Sequence, residues 1–344
     1  MHSTALVRHQ MSTRDSRSSY GPLISVIVPC YNYGHFVGDA LDSVLAQSYE
    51  NWECIVVDDG SIDKTKEVVT RYESKDSRIK YIYQRNHGLA ASRNLGISLS
   101  RGAYIQFLDA DDQIESRKLE FQSNVLEDAV DIDIVYGSVR FFETASMEKL
   151  PSPLNGSGDS RSNQLSGSGE AILRSLIHDN LMVVNAPLIR SSVTKEVGDF
   201  DGDVRGIEDW DYWIRCAAKG HHFQYCYSDQ TDALVRFHPN SMSKDNRLML
   251  SSTLRLRDKI SRTLGSAELV TLNRLLTFDT AGLLGIEEVL KGSTLRGMQH
   301  LFRAALGSTR LNVKAKCFVC GSVAPFVSKE RFKQIARNSN RPPS

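Results

Sequence analysis

The chain has 344 residues, 41% hydrophobic and 24% charged, with a formal net charge of +1. That balance fits a folded chain of one large domain with appendages, or two domains, and nothing global draws it to nucleic acid. Six cysteines over this length do not make a disulfide framework. Cys30, Cys54, Cys216 and Cys226 sit in apolar surroundings and read as small packing residues, and Cys317-x-x-Cys320 lacks the second pair or the histidines that zinc needs.

In chain order, residues 1–21 are polar and rich in Ser and Arg, without the apolar stretch of a secretory signal. A disordered N-terminal segment and a cytoplasmic protein are expected. Residues 23–29 form a short apolar, β-rich run that reads as a buried strand. Residues 36–47 place Phe36, Val37, Ala40, Leu41, Val44 and Leu45 at helical spacing. A strand over 53–57, a helix over 63–72 capped by Ser61 or Asp63, and a strand over 79–83 follow. The pattern then predicts a helix over 90–99, a strand over 103–108, a helix over 116–127 and a strand over 132–136. Strands alternating with helices of this length imply parallel βαβ units, so residues 22–140 read as half of a doubly wound, mainly parallel α/β sheet flanked by helices.

Composition changes over 151–169, which is dense in Ser, Gly, Pro and Asn and reads as a flexible loop. Its glycines do not follow Gly-x-Gly-x-x-Gly and no strand leads into them, so no phosphate loop is read there. Helices over 170–178 and 208–219 and strands over 223–227 and 233–237 come next, ending a second half over 170–247. Residues 248–344 read as a helical C-terminal extension. No uninterrupted apolar run of about 18 residues occurs, so no membrane-spanning helix is expected. The end of the chain carries Lys314, Lys316, Lys329, Arg331, Lys333, Arg337 and Arg341, with Glu330 as its acid. Such a run fits a solvated end, or a peripheral contact with anionic lipid aided by Phe318, Val319, Phe326 and Val327.

Two aspartate clusters stand at the ends of strand-like runs. Asp58-Asp59-Gly60-Ser61 follows the strand over 53–57, and Asp109-Ala110-Asp111-Asp112 follows the strand over 103–108. Ligands of open α/β sheets bind outside the carboxyl ends of the strands. A helix cap would explain one aspartate of the first cluster, but two adjacent like charges exceed what capping requires. In the second, Asp109 and Asp111 share one face of an extended segment and can offer oxygens to a hard divalent cation, while Asp112 turns away. An acidic loop capping the next helix is the plainer reading. Between the clusters, Gly88 permits close backbone approach at a helix start, and Arg93 can reach a diphosphate, a carboxylate or a local aspartate. Glu208-Asp209-Trp210-Asp211 puts acids at the first turn of an aromatic-rich helix, where the helix dipole alone favours them. His238 closes a strand at Arg236-Phe237-His238 and is unremarkable alone.

Together these segments resemble the family 2 glycosyltransferases with the GT-A fold. The matching pieces stand in the family's order: Val26-Ile27-Val28-Pro29-Cys30-Tyr31-Asn32, Val57-Asp58-Asp59-Gly60-Ser61, Asn86-His87-Gly88 with Ala91-Ser92-Arg93-Asn94, Phe107-Leu108-Asp109-Ala110-Asp111-Asp112, Glu208-Asp209-Trp210-Asp211 and Arg236-Phe237-His238. The resemblance covers residues 22–245, and Ser92 stands where the family often has Ala. It implies a nucleotide-sugar donor, usually UDP-linked, and an inverting single displacement onto an acceptor hydroxyl of a carbohydrate or lipid-linked carbohydrate. By motif, Pro29, Tyr31 and Asp59 would hold the nucleoside, Gly88 and Arg93 would neighbour the nucleotide, Asp109 would sit near the ribose and metal, and Ala110 would belong to the nucleotide-sugar site. Asp111 would ligate Mg²⁺ or Mn²⁺ with His238 beside the metal-diphosphate group, and Asp209 would be the general base.

Other function classes leave different marks. A sugar-phosphate nucleotidyltransferase would present an N-terminal Gly-rich loop with basic residues, which Pro29-Cys30-Tyr31-Asn32-Tyr33-Gly34 is not. A nucleotide-sugar-binding protein without catalysis would not need both the acid cluster and Asp209. A chain-extending synthase would usually carry a Gln-x-x-Arg-Trp-like segment and membrane helices, and neither is read here.

Overall fold

A computed structural model of the chain describes residues 21–143, 149–150, 164–239 and 241–338. The N-terminal segment before Gly21, the loop over 151–163 and Arg341 lie outside the described residues.

The first compact unit comprises Met1–Leu173, Asn180–Gly202 and Tyr212–His238. Its elements begin β1 (Ile24–Cys30), α1 (Val37–Leu45), β2 (Trp52–Asp58), α2 (Thr65–Lys75), β3 (Ile79–Tyr83), α3 (Leu89–Leu99) and β4 (Tyr104–Phe107). They continue β5 (Gln113–Ile114), α4 (Lys118–Asp128), β6 (Ile134–Tyr136), β7 (Val139–Glu143), β8 (Lys149–Leu150), α5 (Glu170–His178), β9 (Pro187–Arg190) and α6 (Ser191–Val197). Next come α7 (Glu208–Ala218), β10 (Phe223–Tyr225) and β11 (Ala233–Phe237). The main sheet has the order β10-β6-β9-β4-β1-β2-β3. Strands β4, β1, β2 and β3 are mutually parallel, with Cys30 level with Asp58 and Ile27 level with Phe107. All seven residues of β1 and of β2 are buried, as strands covered on both faces must be. Helix α1 buries Val37, Ala40, Leu41 and Val44, one face at helical spacing.

The expected elements up to residue 136 are present, with ends shifted by at most three residues. The expected cap at Ser61 or Asp63 is not at the helix start, which is Lys64 without a capping bond; Asp63 Oδ1 accepts from the Thr65 amide at 2.9 Å one residue earlier, and Ser61 Oγ accepts from the Asn32 amide. Two features have no clear sequence signal. Strand β9 runs antiparallel between β4 and β6, so the sheet is mixed. A second sheet, order β5-β11-β7-β8, pairs short strands distant in sequence.

The second unit comprises Arg174–Asp179, Asp203–Asp211 and Pro239–Ser344. It therefore draws in two segments that precede the extension in sequence, and α5 and α7 each have residues in both units. Its own helices are α8 (Asn246–Ser261), α9 (Ala267–Leu290), α10 (Thr294–Gly307), α11 (Leu311–Val323) and α12 (Lys329–Asn338), as the Leu-rich spacing predicts. Their core joins Ala281, Leu301, Ala304, Cys317, Cys320 and Phe332. From Lys314 to Arg337 the basic residues therefore stand on packed helices.

The expectation that no segment is long and apolar enough to span a membrane is corrected by α9. Its 24 residues meet that length and composition, with a mean hydropathy of 1.2 over its best window. The charges that break its apolar run, among them Arg274 and Asp279, are spaced widely enough that the average stays high. Core helices meet the same test, and α9 buries Asn273, Thr280 and Glu288 within its own unit.

Candidate functional site

In the first unit the parallel strands bring the carboxyl ends of β1, β2 and β4 to one edge of the sheet. Pro29 lies in β1, buried and level with Val57, and Tyr31 follows it, 47% exposed. The chain then turns through Asn32, which adopts a left-handed conformation (φ 57°). The Asn32 amide donates to Ser61 Oγ, its Oδ1 accepts from the Ile62 amide at 2.9 Å, and the Gly34 amide donates to Asp63 Oδ2. These bonds tie the loop after β1 to the loop after β2.

The paired aspartates divide their work. Asp58 accepts from the Ser61 amide at 2.8 Å and from the Tyr81 hydroxyl at 2.6 Å, so it closes the turn and anchors β3. Asp59 accepts from Gln84 Nε2, the His87 amide and the Gly88 amide at 2.7–2.8 Å. Both carboxylates are buried with these donors, as buried charge requires. In this structure Asp59 thus fixes the Gly88 turn at the start of α3. Gly88 has φ +91°, a conformation that favours glycine, and no neighbour lies within 4 Å of where a Cβ would sit.

Arg93, on α3 and buried, bonds Asp109 Oδ1 at 2.8 Å, and its guanidinium lies 5.5 Å from the Phe200 ring centroid. Asn94 holds Phe200 in place by two backbone bonds. Of the readings left open for Arg93, the local aspartate is the partner seen. Asp109 keeps 31% of its side chain exposed. Ala110 is 1% exposed and its methyl belongs to the core, so the side chain offers no surface to a ligand.

Asp111 Oδ2 lies 2.9 Å from His238 Nε2, at the end of β11. The imidazole is packed by Tyr33 and Phe36, with ring centroids 6.0 and 5.2 Å away. Burial and the Asp109 charge push the Asp111 carboxyl above the usual range, opposed by His238. The same burial and the neighbouring acids raise the Tyr33 phenol. Asp112 does turn away: it is buried, accepts from the Arg236 amide at 2.7 Å and from Asn185 Nδ2, and its carboxyl is pushed well up, chiefly by burial.

Several residues of this constellation were not singled out as site residues in the sequence. Asn185 Oδ1 accepts from the Asp109 amide at 2.8 Å, so its amide spans both ends of the acid cluster. Arg236 Nε donates to the Asp111 carbonyl, and its Nη2 bonds Asp39 Oδ2 on α1. Beneath them Lys118, fully buried, donates to Gln106 and Gln122, and Gln106 donates to the Asn185 carbonyl. Spacing could flag Arg236 through its strand-end motif, but not Asn185 or Lys118, which act only through tertiary contact.

Among the described residues no three His, Cys, Asp or Glu converge as a ready-made metal cage. Asp109, Asp111 and His238 nevertheless supply hard oxygens and an imidazole, and the crowding that raises Asp111 is what a divalent cation would offset. One or two protein ligands suffice where substrate phosphates complete the shell. Asp209 stands in the second unit, half-buried in the first turn of α7 between buried Glu208 and Trp210.

Comparison with known proteins bears on this arrangement. The family model described as glycosyl transferase family 2 matches residues 25–174. An uncharacterized glycosyltransferase of Rickettsia typhi is 35% identical over 202 residues, 58% of this chain and 60% of that protein. A Bacillus subtilis glycosyltransferase named for teichuronic acid biosynthesis, TuaG, is 42% identical over 106 residues, 30% of this chain and 42% of that protein. The matches thus span less than two thirds of these relatives' length. Among solved structures, S. aureus TarS 1-349 in complex with UDP-GlcNAc aligns with a TM-score of 0.62 at 16% identity, over 92% of this chain and 90% of that one. The mannosyltransferase PcManGT from Pyrobaculum calidifontis, in complex with GDP-Man and Mn²⁺, aligns with a TM-score of 0.56 at 16% identity, over 93% and 85%. At these identities the likeness concerns the fold. Acid clusters at parallel strand ends, an α/β architecture of this kind and the match over 25–174 agree: residues 25–174 match the family 2 glycosyltransferase model, and the fold is that of the GT-A structures.

Proposed function

We propose that this protein transfers a hexose from a nucleoside-diphospho-sugar, UDP-linked by preference, to an acceptor hydroxyl with inversion, in polysaccharide or glycan synthesis. The observation that carries the proposal is the strand-end constellation of the first unit: Asp109 and Asp111 beside His238, with exposed Tyr31 and the Gly88 turn on the same sheet edge. TuaG and the complexes of TarS and PcManGT give it further support.

In this reading Tyr31 and the loop behind it hold the nucleoside, and Asp59 acts by fixing the Gly88 turn. Arg93 holds Asp109 in place. Asp109, Asp111 and His238 would hold Mg²⁺ or Mn²⁺, which supplies charge stabilisation to the diphosphate when bound. Asp209 accepts the proton of the acceptor hydroxyl as its oxygen bonds to the anomeric carbon. The bond from that carbon to the diphosphate breaks, and the nucleoside diphosphate leaves from the opposite face. The acceptor is a carbohydrate or a lipid-linked carbohydrate. The setting remains the one expected from the sequence, cytoplasmic with peripheral contact to an anionic membrane. Exposed Phe318, Val319 and Phe326 among the basic residues of α11 and α12 favour that contact.

A screen of nucleotide sugars for release of nucleoside diphosphate, with Mn²⁺ and with EDTA, tests the proposal. Metal-dependent release from one donor is expected. Tight nucleotide binding without turnover on any donor and acceptor would point instead to a binding protein, and full turnover in EDTA would remove the metal.

A further inference from the structure

The helical extension has no evident part in sugar transfer, yet its first helix grips the segment that carries Asp209. Within the second unit, Asp203–Asp211 packs with Pro239–Ser344. Ser252 Oγ, on α8, donates to the Arg205 carbonyl at 2.7 Å. Gly206 has φ +87°, and a Cβ there would lie 3.2 Å from Met242 Sδ and 3.3 Å from Met249 Sδ. On the other side of Asp209, Lys259 Nζ meets Asp211 Oδ1 at 2.7 Å, with the Asp211 side chain fully buried. Arg257 Nη1 donates to the Ile177 carbonyl at 3.0 Å, and its guanidinium lies 5.7 Å from the Trp210 ring centroid. Trp210 Nε1 donates to the Leu176 carbonyl at 2.6 Å. On either side of Asp209, Arg205 before it and Trp210 and Asp211 after it are thus tied to α8 or to the segment that α8 also holds.

We propose that α8 is the positioning element of the base: Lys259, through Asp211, and Ser252, through the Arg205 carbonyl, set the first turn of α7 and so the direction of the Asp209 carboxylate. The inference rests on the reading of Asp209 as general base. Its physical ground is the sensitivity of proton transfer to placement. A displacement of about 1 Å in a catalytic group can cost on the order of a hundredfold in rate. A lone helix start is free to fray, whereas one held by an ion pair on a buried carboxylate and a carbonyl bond is not. The extension is then a working part of the enzyme.

The test uses the full chain. Lys259→Met and Ser252→Ala are compared with wild type for turnover of the donor selected by the screen, and for UDP binding with Mn²⁺ by calorimetry. Lys259→Met should lower kcat roughly ten- to a hundredfold, with UDP affinity and donor KM within about twofold. Lys259→Arg, which keeps the charge, should recover most of the loss. Ser252→Ala gives a smaller fall of the same kind and serves if Lys259→Met does not fold. In an Asp209→Asn background the Lys259→Met effect should vanish, because the two residues act as one unit. Folded variants with wild-type kcat, or an equal fall with and without Asp209, would overturn the proposal. Normal turnover by Asp209→Asn alone would instead remove the base itself, so the two failures are distinguishable.

Discussion

The two units hold their candidate groups by different means. In the first, the groups emerge from the ends of parallel strands and are held within that unit, by nearby segments for the first acid cluster and by distant ones, Asn185, Arg236 and His238, for the second. Asp58 is fixed by Ser61 and Tyr81 of the adjacent strand, and Asp59 by the turn it closes. In the second, the turn around Asp209 is held by side chains some fifty residues further along, Ser252 and Lys259. Donor binding should therefore tolerate disturbance of the helical unit, and proton transfer should not.

The largest expected effect lies in the first unit. Asp111→Asn removes the carboxylate charge that would face the metal and that pairs with His238, and turnover should fall by roughly a thousandfold or more, since a bound cation contributes several kcal/mol to charge stabilisation. Because Asp111 is a crowded acid held above its usual range, the melting temperature should be unchanged or higher. Thermal melts beside Mn²⁺-dependent assays check both, and a variant that still turns over at the wild-type rate would end the metal reading.

Next comes Asp209→Asn. If the carboxylate only favours the helix dipole, the change costs about 1 kcal/mol of stability or less and leaves catalysis alone. As the base it is worth two to four orders of magnitude in kcat, roughly the range for general-base removal. UDP affinity should hold, which separates the two units in a single variant.

A smaller effect concerns the basic helices. Lys329, Arg331, Lys333 and Arg337 are exposed on α12, while Phe332 and Ala336 are buried on its other face. Truncating this end would break the core of the second unit, so charge removal is the cleaner probe. Replacing all four by Gln should weaken co-sedimentation with anionic vesicles, at about 1 kcal/mol per residue near the surface, and the difference should fade in high salt. Equal binding by both proteins at low salt would assign the helices no membrane role.

The mildest prediction is a pH effect on stability. Burial lowers the Lys118 ammonium to about 7, against 10.5 for the ordinary side chain. Between these values the unfolded chain binds more protons than the folded one, so stability rises with pH through that window and is lowest, from this source, below pH 7. Urea midpoints from pH 6.5 to 9.5 should climb for wild type more than for Lys118→Met. Parallel curves would show that Lys118 stays charged and does not contribute.

Asparagine 185 shows where the sequence stops being informative. The strand ends, both acid clusters, the Gly88 turn and the 170–178 and 208–218 helices follow from local pattern, because period, turn residues and caps act over a few positions. So does the helical character of the extension. The family's order of motifs was legible for the same reason. Strand β9, whose last three residues pair with β4, carries no alternation to mark it. Nor could any spacing announce that Asn185 spans Asp109 and Asp112, that Lys118 is buried under them, or that Arg236 reaches Asp39. The buried polar groups of α9, Asn273, Thr280 and Glu288, likewise find their place only in the assembled helices. The sequence by itself determined which groups this protein can use and the strand and helix ends that present them. Tertiary structure decided how those groups are charged, held and buried, since desolvation and long-range hydrogen bonds exist only once distant segments meet.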